Sequence, residues 1–179
     1  MEYQNKKGGK RELGKCHCKV DPHDFGTIPT GLFNGDIDII EEGEKQYTYL
    51  EAENKANKLA NYLKGLSIGP EDKVTILLPR CAEVTIAMLG ILKSGAAYIP
   101  LDPEIPADRV NFIMEDANSK LLITSNEILD RIGGQLSSFP IFNIDKQTPE
   151  LDNFPDTKPI VEGRSEDNLC YVIYTSGTT

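Results

Sequence analysis

Thr175, Ser176, Gly177, Thr178 and Thr179 form a run of small hydroxyl residues around one glycine, directly after the apolar stretch Leu-Cys-Tyr-Val-Ile-Tyr. Such a run lets the backbone approach a polyphosphate closely, and its amides and hydroxyls can donate to phosphate oxygens. It is not the Gly-x-x-x-x-Gly-Lys-Ser/Thr loop, whose spacing does not occur in this chain. On these residues alone a phosphate cradle and an ordinary turn after a strand both stand. A second cluster, Cys16, His17, Cys18 and His23, gathers four side chains able to bind a metal. Structural zinc sites pair ligands from two separated knuckles, with cysteines two to four residues apart. Here everything lies on one short segment with a tighter Cys-x-Cys, so no metal site is assigned. No residue is assigned a catalytic role.

The elements that would position the hydroxyl run can be read from residue 32 onward as strands alternating with helices. Ile37, Ile39 and Ile40 suggest a first strand, with residues 46–48 returning after a Glu-Gly-Glu turn. Thr48 and Glu51 have the spacing of a capping box, in which the hydroxyl accepts an amide and the carboxylate reaches back. Ala52, Ala56, Leu59, Leu63 and Leu66 then mark one apolar face of a helix, closed by Gly69-Pro70. Residues 73–78 (KVTILL) make a buried strand, and residues 83–93 a helix apolar almost all round. Gly95 ends that helix in the place of a left-handed C-terminal residue. Residues 97–101 give a strand, Pro106 opens a helix with Val110, Ile113, Met114 and Ala117 on one face, and residues 120–124 give another strand. Thr124 and Glu127 form a second capping-box pattern, and residues 140–144 a fifth strand. Residues 145–168 are polar with three prolines and read as a long surface connection to the last strand, residues 169–174.

This alternation predicts an α/β fold, with a mostly parallel sheet and helices on both faces. Residues 1–30 lack periodicity and are expected to be a poorly ordered basic segment; residues 31–179 form the folded unit. The chain of 179 residues carries a net charge of −9, with 39% hydrophobic and 26% charged residues, as an ordinary globular protein does. Residues 1–20 hold six basic and two acidic side chains, so the body is more acidic still. That balance argues against nucleic-acid binding, which needs clustered Lys and Arg. No apolar run reaches the length of a membrane span, and no apolar segment follows the basic N-terminus as in a secretory signal. Four cysteines, of which Cys81 and Cys170 sit in apolar surroundings, fit a reducing compartment, and a cytoplasmic location is expected.

Residues 171–179 (YVIYTSGTT) resemble the phosphate-loop motif of the adenylate-forming, AMP-binding ligase superfamily, whose members continue with Gly-x-Pro-Lys-Gly. Residues 92–102 (LKSGAAYIPLD) resemble its second core motif, and Thr48-Tyr49-Leu50-Glu51 its first. Residues 100–109 (PLDPEIPADR) are similar in wording to adenylation domains of nonribosomal peptide synthetases, which make secondary metabolites. The resemblance covers roughly residues 35–179. It implies the N-terminal subdomain of an adenylating ligase, incomplete and cut within the phosphate loop. It also implies that Thr175, Ser176, Thr178 and Thr179 surround the phosphates of ATP, accompanied by Mg2+, while Gly177 permits the turn. The first two motifs shape the fold, so Lys93, Tyr98 and Asp102 are given no catalytic role. The complete enzyme would activate an amino-acid carboxylate as its adenylate and pass it to a carrier-protein phosphopantetheine thiol. The fragment alone is expected to be inactive. The alternative is a non-catalytic half-protein, acting as an interaction module or complemented by a separate C-terminal half.

Overall fold

Strand and helix alternate along the chain because short apolar runs are punctuated by residues that cannot continue them. The computed structural model describes residues 3–4, 10–15, 39–42 and 45–175. In chain order the strands are β1 (Tyr3–Gln4), β2 (Lys10–Lys15), β3 (Ile39–Glu42), β4 (Lys45–Thr48), β5 (Lys73–Leu77), β6 (Ala97–Pro100), β7 (Leu121–Thr124), β8 (Ile141–Asn143) and β9 (Leu169–Thr175). The helices are α1 (Tyr49–Gly65), α2 (Ala82–Lys93), α3 (Ala107–Ala117), α4 (Asn126–Ile132) and α5 (Ile144–Leu151), with a 3-10 turn at Gly133–Gln135. The main sheet has the order β1-β2-β9-β6-β5-β7-β8, and β3 with β4 makes a separate hairpin.

The five strands from β9 to β8 run parallel, β5 pairing with both β6 and β7. From β5 the chain first steps to β6 on one side, then crosses back to β7 on the other. Right-handed crossovers therefore put α2 and α3 on opposite faces. The core confirms it by alternation along β5. Val74 and Ile76 pack with Leu59, Leu63 and Ile91 of α1 and α2, whereas Leu77 packs with Val110, Met114 and Ile128 of α3 and α4. The expected parallel sheet with helices on both faces is what the chain forms.

Local signals explain most element ends. Thr48 accepts the Glu51 amide at 3.2 Å, and the Glu51 carboxylate accepts the Thr48 amide at 2.8 Å, which is the complete capping box. After α2, Gly95 takes φ +88; a Cβ there would meet Val161 Cγ1 at 2.8 Å, so both backbone and space demand glycine. Asn118 closes α3 in the left-handed conformation.

Four expectations need amendment. Helix α1 ends at Gly65, before Gly69-Pro70, with Ser67 turning the chain at φ 60, and this leaves Leu66 half exposed. The Thr124–Glu127 capping box does not form. Thr124 is drawn into β7 as its last, buried residue, and the first amide of α4, that of Asn126, bonds the Asp145 carboxylate at 2.7 Å instead. Residues 145–168 are not all surface connection, since Asp145 to Leu151 lie in α5, which docks through buried Leu151. Two strands fall in the stretch 1–30, which lacks apolar periodicity. Of these, β2 lies antiparallel along β9, with Lys10 opposite Thr175. Ile37 lies outside the described residues.

The connection into β9 is strapped to α1 by side chains. Asn57 donates to the Asp156 carbonyl at 2.7 Å, Asn61 to those of Pro155 and Thr157 at 2.9 Å each, and Lys64 to that of Ile160 at 2.6 Å. The ring of Phe154 meets Tyr62 edge-on at 5.4 Å. Glu71 then accepts the Leu169 amide at 3.1 Å, which sets where β9 begins.

Candidate functional site

Open parallel sheets present ligands to the carboxyl ends of their strands, at the point where strand order reverses. Here that point lies between β5 and β7, and β9 lies on the far side of β6 from it, two strands from β5. Thr175, half buried, is the last residue of β9. Ser176, Gly177, Thr178 and Thr179 lie outside the described residues. The hydroxyl run thus begins at the carboxyl end of a strand parallel to β6, where Thr175 lies opposite Lys10 of β2.

Around the same edge the other strand ends are built for shape. After β6, the Asp102 carboxylate accepts the Glu104 amide at 2.8 Å and fixes a tight turn, while Arg131 reaches the Pro103 carbonyl. Lys93 is buried and donates to Glu53 at 2.6 Å, tying α2 to α1. Tyr98 stacks near Tyr171 with ring centroids 6.1 Å apart, and burial first, then Cys170 and Tyr171, pushes its hydroxyl pKa up. Lys93, Tyr98 and Asp102 all serve packing or turn geometry here.

Sequence reasoning passed over two features. The hydroxyls of Thr124 and Ser125 are buried at the carboxyl end of β7 with no hydrogen-bond partner among the described residues. Buried polar groups are nearly always satisfied, so such a pair stands out. The signal was present as Thr-Ser directly after the apolar run of β7, but it read as a helix cap. The second feature is a cavity of about 320 Å3 floored by Ile123 and Phe142 and rimmed by Tyr47, Lys55, Glu83 and Asp145. Tyr47 donates to Glu83 at 3.0 Å across its mouth. Burial first, then the Glu83 charge, raises the pKa of the nearby Cys81 thiol, which keeps it protonated and unreactive at neutral pH. Among the described residues no group of three His, Cys, Asp or Glu side chains could hold a metal. Cys16, His17, Cys18 and His23 lie outside those residues.

Known proteins resemble the chain over most of its length. The family model for AMP-binding enzymes matches residues 33–179. The chain is 40% identical over 136 residues to a dimodular nonribosomal peptide synthase of Bacillus subtilis (strain 168), spanning 75% of this chain and 6% of that protein. It is 38% identical over 146 residues to the probable non-canonical nonribosomal peptide synthetase CymA of Salinispora arenicola (strain CNS-205), spanning 78% of this chain and 2% of that protein. Among solved structures, the nonribosomal peptide synthetase FmoA3 in its AMPPNP-bound form superposes with a TM-score of 0.67 at 26% identity, over 75% of this chain and 14% of that one. A fatty acyl CoA synthetase of Mycobacterium tuberculosis gives a TM-score of 0.62 at 30% identity, over 74% of this chain and 28% of that one. The chain therefore spans only a small share of each relative. The family match and these relatives together show that the chain belongs to the AMP-binding enzyme family, in the adenylation-domain branch of nonribosomal peptide synthetases.

Proposed function

We propose that the chain supplies the N-terminal, phosphate-binding part of an amino-acid-adenylating ligase. The observation that carries this reading is the placement of Thr175 at the carboxyl end of a parallel strand, at the start of the hydroxyl run. In the reaction, a carboxylate oxygen of the amino acid attacks the α-phosphorus of ATP, and the bond to the pyrophosphate oxygen breaks. The phosphopantetheine thiol of a carrier protein then attacks the aminoacyl carbonyl, forming a thioester as the bond to the phosphate oxygen breaks and AMP leaves. Thr175, Ser176, Gly177, Thr178 and Thr179 hold the β- and γ-phosphates by amide and hydroxyl donors, and Mg2+ enters with the nucleotide as their counter-ion. Positioning and charge neutralisation supply the rate in such in-line chemistry. The chain works in the cytoplasm. No helix among the described residues is long and apolar enough to cross a membrane.

Taken alone, the chain does not adenylate on this reading, because it contributes a phosphate cradle without a grip on adenine or ribose. Titration followed by amide resonances of residues 175–179 tests this. Tripolyphosphate should shift them with a dissociation constant on the order of a millimolar, as a few charge-assisted hydrogen bonds allow. ATP should bind no more than about threefold tighter, since the base adds little. Tight and selective ATP binding would refute the reading, and so would no response to either ligand. A second reading, a half-protein complemented by a separate C-terminal half, is favoured by the half-exposed Tyr171 and Ile173 on β9. Under it, mixing the two halves restores ATP–pyrophosphate exchange.

A further inference from the structure

The last turn of α3 holds Glu115 and Asp116 and no basic residue. A helix C-terminus carries partial negative charge, so carboxylates there are disfavoured by the helix itself. Asp116 nevertheless has a specific use. Its Oδ2 accepts the hydroxyl of Tyr174 at 2.6 Å, the length of a strong bond to a charged acceptor. The Tyr174 ring packs on Ile99, Ile113, Ala117 and Val172, so ring and hydroxyl together anchor the end of β9 on α3. Tyr174 immediately precedes Thr175, and β6 pairs with β9 in register at Tyr98 and Tyr171, three residues earlier.

We infer that Asp116 is a positioning residue for the phosphate run, which by accepting the Tyr174 hydroxyl fixes the strand-to-loop junction at Tyr174 and Thr175. The inference rests on the phosphate reading above. Asp116 touches no ligand; it acts through Tyr174. The ladder with β2 still holds the edge of β9 as far as Thr175, so loss of the bond loosens the junction on its α3 face, and a looser junction weakens phosphate binding.

The test compares the parent chain with Tyr174→Phe, Asp116→Ala and Asp116→Asn. Amide hydrogen exchange is read at Val172, Tyr174 and Thr175, and tripolyphosphate affinity by resonance titration. In Tyr174→Phe and Asp116→Ala, exchange at Tyr174 and Thr175 should quicken about tenfold against less than twofold at Val172, and affinity should fall about fivefold. Asp116→Asn keeps an acceptor oxygen for the tyrosine and should restore most of both. A parent that binds tripolyphosphate while Tyr174→Phe and Asp116→Ala keep its affinity within twofold would overturn this inference alone. Unchanged local exchange in those variants would overturn it too. A parent that binds no tripolyphosphate would remove the phosphate reading and this inference together. Should Asp116→Ala fail to fold, Tyr174→Phe, which removes one oxygen, decides.

Discussion

At the scale of single residues, Thr48 and Glu51 show how much one pair can specify. The hydroxyl and carboxylate satisfy amides at the start of α1 that the helix itself leaves without partners. Thr48→Ala should cost about 1 kcal/mol, the usual loss for a capping hydroxyl, measured by urea unfolding. The Glu51 contribution also depends on pH. Bonds from the Thr48 amide, first, and its hydroxyl hold the Glu51 carboxyl below the usual glutamate range. A lowered folded pKa means that the stabilisation is fully present above the unfolded value and is lost as pH falls through the folded one. Glu51→Gln should therefore unfold more easily than the parent at pH 7, with the gap closing in acid below the glutamate range. A gap of constant size from neutral pH to strong acid would contradict this. The same spacing at Thr124 and Glu127 gave no box, and the reason is not local. Thr124 is fully buried at the end of β7, and Asp145, 19 residues from Asn126, supplies the acceptor for the first amide of α4. A capping pattern is legible where the hydroxyl faces solvent and misleading where a sheet claims it.

At the scale of elements, α1 and α2 press together through one glycine. Alanine is the better helix former by about 1 kcal/mol, so Gly90→Ala would help α2 in isolation. In the fold, a Cβ at Gly90 would meet Leu59 Cδ2 at 2.7 Å and Cγ at 2.9 Å, contacts that real side chains do not make. Overpacking of this kind costs about 1–3 kcal/mol, so Gly90→Ala should destabilise despite propensity. In a Leu59→Ala background the two shortest contacts are gone and only the Cβ of residue 59, at 3.0 Å, remains, so adding Gly90→Ala should cost clearly less than it does in the parent. Additive effects in the double variant would show that the helices do not meet there. Helix periodicity foretold the inward face of α1, because Ala52, Ala56, Leu59 and Leu63 lie on one side and are all buried. It could not foretell what the polar side of α1 does. Asn57, Asn61 and Lys64 look like solvent-facing residues, yet their partners are carbonyls 94 to 99 positions away in the strap leading to β9. No local pattern encodes a contact of that span. The hydroxyl run itself was legible for a different reason: its place after an apolar strand is written in adjacent residues.

At the scale of the whole molecule, the two faces of the sheet are unequally covered at β9. On the α3 side, Val172 is fully buried against Ile99, Ile113 and Ala117. On the other side, alternation brings out Tyr171 and Ile173; Tyr171 rests on Tyr98, and Ile173 stays 37% exposed. None of the described helices closes over this side of β9. Apolar sheet surface left open to water favours association over the monomer, at the micromolar to millimolar concentrations where such faces find each other. The purified chain should therefore self-associate in sedimentation velocity runs from about 10 to 200 micromolar and bind a hydrophobic dye. Ile173→Lys places a charge on the open face while leaving the α3 side untouched. It should raise the concentration needed for association about fivefold or more, with little change in the thermal midpoint. A parent chain that stays monomeric over that range, binds no dye and unfolds in one sharp reversible step would mean that this face is already satisfied within the chain. In that case the half-protein reading would lose the surface on which it depends, and the phosphate edge would have to be judged by its own ligand titration.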